Sequence, residues 1–141
     1  MVSGPKFEFF DHTADLAVWV YGATPHEVFQ NAAAALYSAL GTFHLKPDRV
    51  ADTFRLEANS QEELLVEFLG ELLYRFDARE LLFDEIVIEK LEAGKLTAKL
   101  RGGQIDLPRS EPNYEIKAIT YHQTRLEPHA AGWRATLILD V

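Results

Sequence analysis

The sequence predicts an α+β fold in which two main helices pack on a mostly antiparallel β-sheet. The chain of 141 residues is long enough for one hydrophobic core. Apolar residues recur at helical spacing in two segments and at alternating positions in most others. The segments run as strands, helix, strand, helix and then four strands, which is typical of α+β proteins. Because no linker or repeat divides residues 1–141, we expect one domain.

The first elements are predicted strands at residues 6–10 and 14–21, which are rich in Phe, Val, Trp and Tyr. Gly22 ends the second of them. A third predicted strand, residues 50–58, shows the alternation of apolar and polar residues typical of a half-buried strand.

Two segments carry the start signals of helices, at residues 24–40 and 60–77. Thr24 precedes a proline at the first helical position, and Ser60 forms a capping box with Glu63. Both segments then repeat apolar residues on one face. We expect these apolar faces to be buried, above all at Phe29, Leu36, Leu65, Leu69 and Leu72.

Beyond the second helix the apolar period changes to two. Residues 85–91 and 95–102 flank the turn 92–94 and indicate a β-hairpin. Residues 114–127 and 132–141 are the last predicted strands.

Composition narrows the classes of function. The net charge of −8 argues against direct nucleic-acid binding and favours a basic protein or a cation as partner. The absence of cysteine excludes disulfides and thiolate metal sites. No apolar run is long enough to span a membrane, and residues 1–6 lack a signal-peptide pattern. We therefore expect a cytoplasmic protein that does not bind membranes.

A cluster of polar residues lies where the first predicted strand ends and the second begins: Asp11, His12, Thr13 and Asp15. Carboxylate oxygens are the ligands that hard cations such as calcium prefer, so Asp11 and Asp15 are candidate ligands. The alternative is structural: Asp11 forms a turn with Thr13, and Asp15 caps or ends a strand.

The last residues, Asp140 and Val141, continue the final predicted strand. If this strand is ordered, the Asp140 side chain and the main-chain carboxylate of Val141 lie close together and repel unless a cation joins them. A metal ion, a lysine or an arginine would serve. The alternative is a solvated, frayed strand end.

Two further residues of the late strand are chemical candidates. Lys117 either has a functional role or is a solvated strand residue. His122 either acts as a base or metal ligand or has a structural role alone. The chain has no phosphate-binding loop, no dinucleotide fingerprint and no zinc motif.

Three motifs in this order resemble the archease family: DHTAD at residues 11–15, IKAITYH at 116–122 and the final LDV. The resemblance extends over essentially the whole chain, including EELLVEFLGELLYRFD at residues 62–77. It implies a non-enzymatic accessory protein that activates the GTP-dependent RtcB-type tRNA-splicing RNA ligase. The activator promotes guanylylation of the ligase and multiple turnover. An older proposal for the family is a chaperone of an RNA methyltransferase.

The resemblance also implies roles for individual residues. Asp15, Asp140 and Val141 match the metal-binding positions, with calcium or another divalent cation as the ligand. Lys117 matches the functional lysine that contacts the partner. Asp11 and His12 would shape the turn or hydrogen-bond to the metal ligands. A third hypothesis, a metal-dependent hydrolase using Asp11, His12, Asp15 and Asp140, lacks a nucleophile or phosphate loop in the sequence.

Overall fold

The computed structural model of the chain describes residues 4–12 and 15–141, without the side chain of His12. These residues form two helices, α1 (Pro25–Leu40) and α2 (Gln61–Arg79). The strands are β1 (Phe7–His12), β2 (Asp15–Gly22), β3 (Gly41–Thr42), β4 (Leu45–Glu57), β5 (Leu81–Glu92), β6 (Lys95–Ile105), β7 (Glu111–Pro112), β8 (Ala118–Ile119), β9 (Arg125–His129) and β10 (Gly132–Asp140).

The strands form two larger antiparallel sheets and one short strand pair. The first sheet has the order β1-β2-β10-β8, and β9 pairs with β10 beside β8. The second is the three-stranded sheet β4-β6-β5, while β3 pairs with β7. This arrangement confirms the predicted α+β class with antiparallel strands.

Side-chain caps fix where the two helices begin. The backbone N–H of Glu27 donates to Thr24 Oγ1 at 3.2 Å, and that of Glu63 donates to Ser60 Oγ at 3.1 Å. Each cap satisfies an N–H group that has no partner within its helix. Both helices therefore begin where the sequence predicts.

The core lies around the two helices, because each helix contacts strands of both larger sheets. The predicted core residues are confirmed, each at most 1% exposed: Phe29, Leu36, Leu65, Leu69 and Leu72. Asn31, a buried polar residue of α1, donates from Nδ2 to the Tyr21 carbonyl at 2.6 Å and so ties α1 to β2. Among the residues described here, neither helix is long and apolar enough to cross a membrane.

The predicted hairpin is confirmed between β5 and β6. Ala93 and Gly94 both have positive φ angles, of 52° and 74°. Two such residues suit the tight turns that match the twist of paired strands.

The predicted strand at residues 114–127 is wrong over most of its length. Only β8 and the start of β9 are extended strands in this range. The Tyr114 N–H donates to the Ala39 carbonyl at the end of α1, at 3.1 Å. Further along, the Thr124 N–H closes a turn on the Tyr121 carbonyl at 3.0 Å. The backbone thus bonds to a helix end and within a turn, so the β-rich composition did not yield a continuous strand.

Charged side chains on and beside the three-stranded sheet pair with one another. Arg75 Nε of α2 lies 2.8 Å from Asp52 Oδ2 of β4. Arg49 Nη2 lies 2.7 Å from Asp84 Oδ1 across β4 and β5. Arg75 is largely buried and also lies over the Phe54 ring, 4.8 Å from its centre. The contacts of Arg75 hold α2 against the sheet, and the Arg49–Asp84 pair joins two of its strands.

Candidate functional site

The candidate site lies where β2 begins and β10 ends. Leu16 of β2 pairs with Leu139 of β10, so the next residues outward on the two strands are Asp15 and Asp140. Residues directly opposite in an antiparallel pair have Cα atoms about 4.5–5.5 Å apart. The fold therefore brings two aspartates from the two ends of the sequence to neighbouring strand ends.

The alternation of the strands decides which way Asp140 projects. Leu139 and its partner Ile119 are buried, whereas Asp140 and its partner Ala118 are exposed. Successive side chains of a strand point to opposite faces of the sheet. Asp140 therefore projects to the face of the sheet that lies away from the helices. Asp15, the residue opposite Asp140 on β2, projects to the same face.

Lys117 lies at the same end of the sheet. Its backbone N–H donates to the Asp140 carbonyl at 2.7 Å, which fixes the chain just before β8 against the end of β10. Its side chain is exposed and lines a groove against α2. Within residues 4–12 and 15–141, the Lys117 ammonium forms no ion pair with Asp140.

The donor chemistry of Asp15, Asp140 and the main-chain carboxylate of Val141 fits a hard divalent cation, because all three offer carboxylate oxygens. Within the described part of the chain, no group of three His, Cys, Asp or Glu side chains could hold a metal ion. A cation bound between Asp15 and Asp140 would therefore need the main-chain carboxylate of Val141 as a third protein ligand. The Val141 side chain is half-buried against the core, which restrains the position of that residue.

The two accessory candidates lie on β1. Asp11 pairs with Leu16, so strand alternation places it on the opposite face from Asp15. In the backbone register His12 pairs with Asp15, but the His12 side chain lies outside the described residues, as does Thr13 of the same motif. A site built from all four residues of the hydrolase hypothesis would thus have to include Asp11 from the other face.

His122 is exposed and lies in the turn between β8 and β9. Its carbonyl accepts a hydrogen bond from Arg125 Nη1 at 3.4 Å. His122 lines a shallow cavity with Glu62, whose carboxylate accepts from the Leu126 N–H at 3.2 Å. Both hydrogen bonds involve backbone atoms, and they hold the turn that carries His122 and the start of β9 in place.

Sequence reasoning missed the groove that Lys117 lines. This α2–β8 groove has a volume of about 340 Å³ and contains Gly70, Tyr74, Asp77 and Lys117. Its one sequence signal is Gly70, a glycine inside an otherwise helix-forming segment. Tyr74 and Asp77, one and two helical turns further on, become notable only once β8 is known to lie beside α2.

Comparison with known proteins identifies the chain's relatives. Residues 7–141 match the model of the "Archease protein family (MTH1598/TM1083)". The "Protein archease" of Methanosarcina mazei is 37% identical over 142 residues, with 98% of this chain and 97% of that protein covered. The "Protein archease" of Pyrococcus abyssi is 36% identical over 140 residues, with 96% and 99% covered.

Solved structures agree with the fold. The solution structure of Methanobacterium thermoautotrophicum protein 1598 has a TM-score of 0.74 and 28% identity, covering 96% of this chain and 99% of that one. The crystal structure of a Thermotoga maritima protein described as "an archease, possible chaperone" has a TM-score of 0.68. At 22% identity over 100% of this chain and 98% of that one, it supports the fold alone.

Proposed function

Because this chain belongs to the archease family, we propose that it is a non-enzymatic accessory protein that activates an RtcB-type RNA ligase. In this role it promotes guanylylation of the ligase and lets each ligase molecule act repeatedly. The observation that carries the proposal is the convergence of Asp15, Asp140 and Lys117, from three distant parts of the sequence, at one end of one sheet.

The charge of the protein fits a protein partner. A net charge of −8 repels RNA but attracts a basic, nucleic-acid-binding enzyme. Lys117 is a compact cation in an acidic protein, and it can reach a phosphate or a carboxylate of the partner. We therefore assign Lys117 to the contact with the ligase.

We also propose that Asp15, Asp140 and the main-chain carboxylate of Val141 bind calcium or another divalent cation. The cation would supply positive charge that offsets the repulsion among these carboxylates. The residues of this chain position the ligands. The β2–β10 register holds the two aspartates side by side, and the hydrogen bond from the Lys117 N–H to the Asp140 carbonyl fixes the adjacent loop. The site then orders the surface that meets the ligase.

The test of the activator role is a ligation assay with the ligase limiting and RNA in excess. With this protein present, we expect turnover to rise from about one event per ligase to many, together with faster guanylylation. Unchanged turnover and unchanged guanylylation would reject the activator role. Stable folding of an RNA methyltransferase by this protein would then favour the chaperone hypothesis.

The test of the metal site is calcium titration by calorimetry. Asp15→Asn and Asp140→Asn should each weaken binding, because each removes one carboxylate. Residues added after Val141 should also weaken it, since an amide replaces the main-chain carboxylate. Asp48→Asn, an exposed aspartate of β4, is the matched control and should bind calcium normally. Normal affinity in all three site variants would reject the site.

A further inference from the structure

The α2–β8 groove adjoins a second cavity, and Asp77 lines both. The second, which we call the Tyr114 cavity, has a volume of about 220 Å³ and lies between the end of α2 and residues 112–116. Together the two cavities follow α2 for more than two turns and end beside Lys117 and β8. They offer space for an extended segment of another protein.

Gly70 gives the α2–β8 groove an open floor. It lies in the interior of α2, where glycine is less favourable than alanine. Beyond the adjacent residues and backbone of α2 itself, a Cβ atom added at Gly70 would meet none of the described atoms within 4 Å. Packing among the described residues therefore does not require glycine here, and the missing side chain leaves the helix backbone open to close approach from outside.

Two tyrosines flank the point where the cavities meet. Tyr74 is 62% exposed and Tyr114 is 45% exposed, which places both among the most exposed large apolar residues described. Tyrosine is enriched in protein interfaces because it combines a large apolar ring with a hydrogen-bonding group. Their position beside Asp77 favours a protein segment as the occupant.

Two carboxylates, those of Asp77 and Glu115, lie beside the Tyr114 cavity. Partial burial raises the pKa of Asp77, and repulsion from Glu115 raises it further. Among the described residues, neither Asp77 nor Glu115 forms an ion pair. A basic side chain from a partner would relieve this repulsion. The groove is thus complementary to a segment that joins an apolar residue to a basic one.

We propose that the α2–β8 groove and the Tyr114 cavity bind one segment of the ligase, with an apolar side chain over Gly70 and a neighbouring arginine or lysine between Asp77 and Glu115. This inference rests on the proposed function, which supplies the ligase as the partner. It extends that function by assigning docking to α2, whereas Asp15 and Asp140 lie on the outer face of the sheet. Lys117 links the two surfaces, because it lines the groove and bonds to the end of β10.

The test is the affinity of the intact protein for the purified ligase, measured by calorimetry. Gly70→Phe fills the groove and should weaken binding by about tenfold or more, as loss of a central interface contact does. Gly70→Ala should raise Tm, because alanine favours the helix, and should change binding by no more than about twofold. Ala34→Phe adds the same bulk at an exposed position of α1 and should leave binding unchanged.

A second variant tests the charge of the groove independently. Asp77→Asn combined with Glu115→Gln should weaken ligase binding several-fold and reduce its dependence on salt, because two complementary charges are lost. Asp48→Asn combined with Glu92→Gln removes two exposed carboxylates of the three-stranded sheet and should leave both properties nearly unchanged. If Gly70→Phe lowers Tm sharply, its binding no longer reports on the groove alone, and the charge variant then tests the groove.

The outcomes separate the groove from the activator role. If the ligase binds the natural protein and also both groove variants with full affinity, the groove assignment is wrong and the activator role stands. If the natural protein neither binds the ligase nor raises its turnover, the activator role fails and the groove loses its partner. Weak binding by the groove variants, with normal calcium affinity, would support the assignment.

Discussion

The three-stranded sheet and the candidate-site end of the other large sheet differ in how their charged side chains are paired. On the three-stranded sheet, arginine and lysine side chains pair with carboxylates within the chain, as in Arg75–Asp52 and Arg49–Asp84. At the end of the sheet that carries the candidate site, Asp140 and Lys117 form no ion pair within the described residues. Charges satisfied inside the chain stabilise the fold, whereas charges left unsatisfied remain available to a cation or a partner.

This difference predicts that substitutions in the two regions change different measured properties: stability in the three-stranded sheet, and binding at the candidate site. Removing a paired charge should lower the free energy of unfolding, because the remaining charge is then unpaired in a partly buried environment. Removing an unpaired, exposed charge should leave that free energy nearly unchanged and alter binding instead.

The largest expected effect removes the core on which both regions depend. Leu69 is fully buried in α2, so Leu69→Ala should lower the free energy of unfolding by about 2–5 kcal/mol through lost burial and the cavity it leaves. Urea denaturation measures this change. Calcium and ligase binding should both decline with the folded fraction. A loss below about 1 kcal/mol would contradict the packing described for α2.

The next effect concerns the paired region. Arg75→Met keeps an apolar side chain at this position but removes the guanidinium, which lies over the Phe54 ring and donates to Asp52 and Glu71, and it should cost about 1–3 kcal/mol. Arg55→Met, an exposed arginine of β4 without an ion pair among the described residues, is the matched control and should cost less than about 0.5 kcal/mol. Equal losses in the two variants would mean that the Arg75–Asp52 pair adds nothing to stability.

The pH dependence of stability sharpens the comparison, because Asp52 and Asp77 shift in opposite directions. Burial alone would raise the pKa of Asp52, but hydrogen bonds from Arg75 and the Thr53 N–H, with attraction from Arg75 and Arg79, bring it below its ordinary value of 3.8. Its stabilisation is therefore present above pH 3.8 and is lost as the pH falls through the lowered value. The raised pKa of Asp77 has the opposite consequence: its ionisation in the folded state opposes folding at neutral pH.

Urea denaturation at several pH values measures both contributions. Asp52→Asn should lower stability at pH 7 and flatten its loss in acid, whereas Asp77→Asn should raise stability slightly at pH 7. Changes of the same sign in the two variants would contradict the opposite environments of these carboxylates.

The smallest effects on stability should occur at the candidate site. Lys117→Ala should change the free energy of unfolding by less than about 0.5 kcal/mol, yet reduce activation of the ligase while calcium affinity stays normal. Lys117→Arg keeps the charge and tests whether charge alone suffices. Lys46→Ala, at an exposed lysine of β4, should activate fully. Full activation by Lys117→Ala would reduce Lys117 to a surface residue.

Local chemistry made the helices and the hairpin predictable. Thr24 and Ser60 mark the helix starts, because a side-chain oxygen must satisfy the free N–H groups there, and the structure contains both bonds. The turn at Ala93 and Gly94 is equally local. Each of these features depends on residues within a few positions of one another, so the sequence was sufficient to predict them.

Pairing between distant segments was not predictable from periodicity. The register of Leu16 with Leu139 determines that Asp15 and Asp140 meet, and no local pattern encodes it. Only the resemblance to a known family suggested that these residues act together. The groove at Gly70 was missed for the same reason, because β8 reaches α2 through tertiary packing and not through sequence proximity.

The central position of β10 has a consequence for the order of folding. Strands β4, β5 and β6 all lie within residues 45–105, so their sheet can close earlier than the pair of β2 and β10, which spans nearly the whole chain. Such distant contacts slow folding, because a long loop must close before they form. At about 5–20 residues per second of synthesis, the edge of β2 that pairs with β10 stays unpaired until β10 has left the ribosome. Until then Val18 and Val20 lack their neighbours on β10, so the hairpin of β1 and β2 presents an unpaired strand edge at which a newly made chain can aggregate.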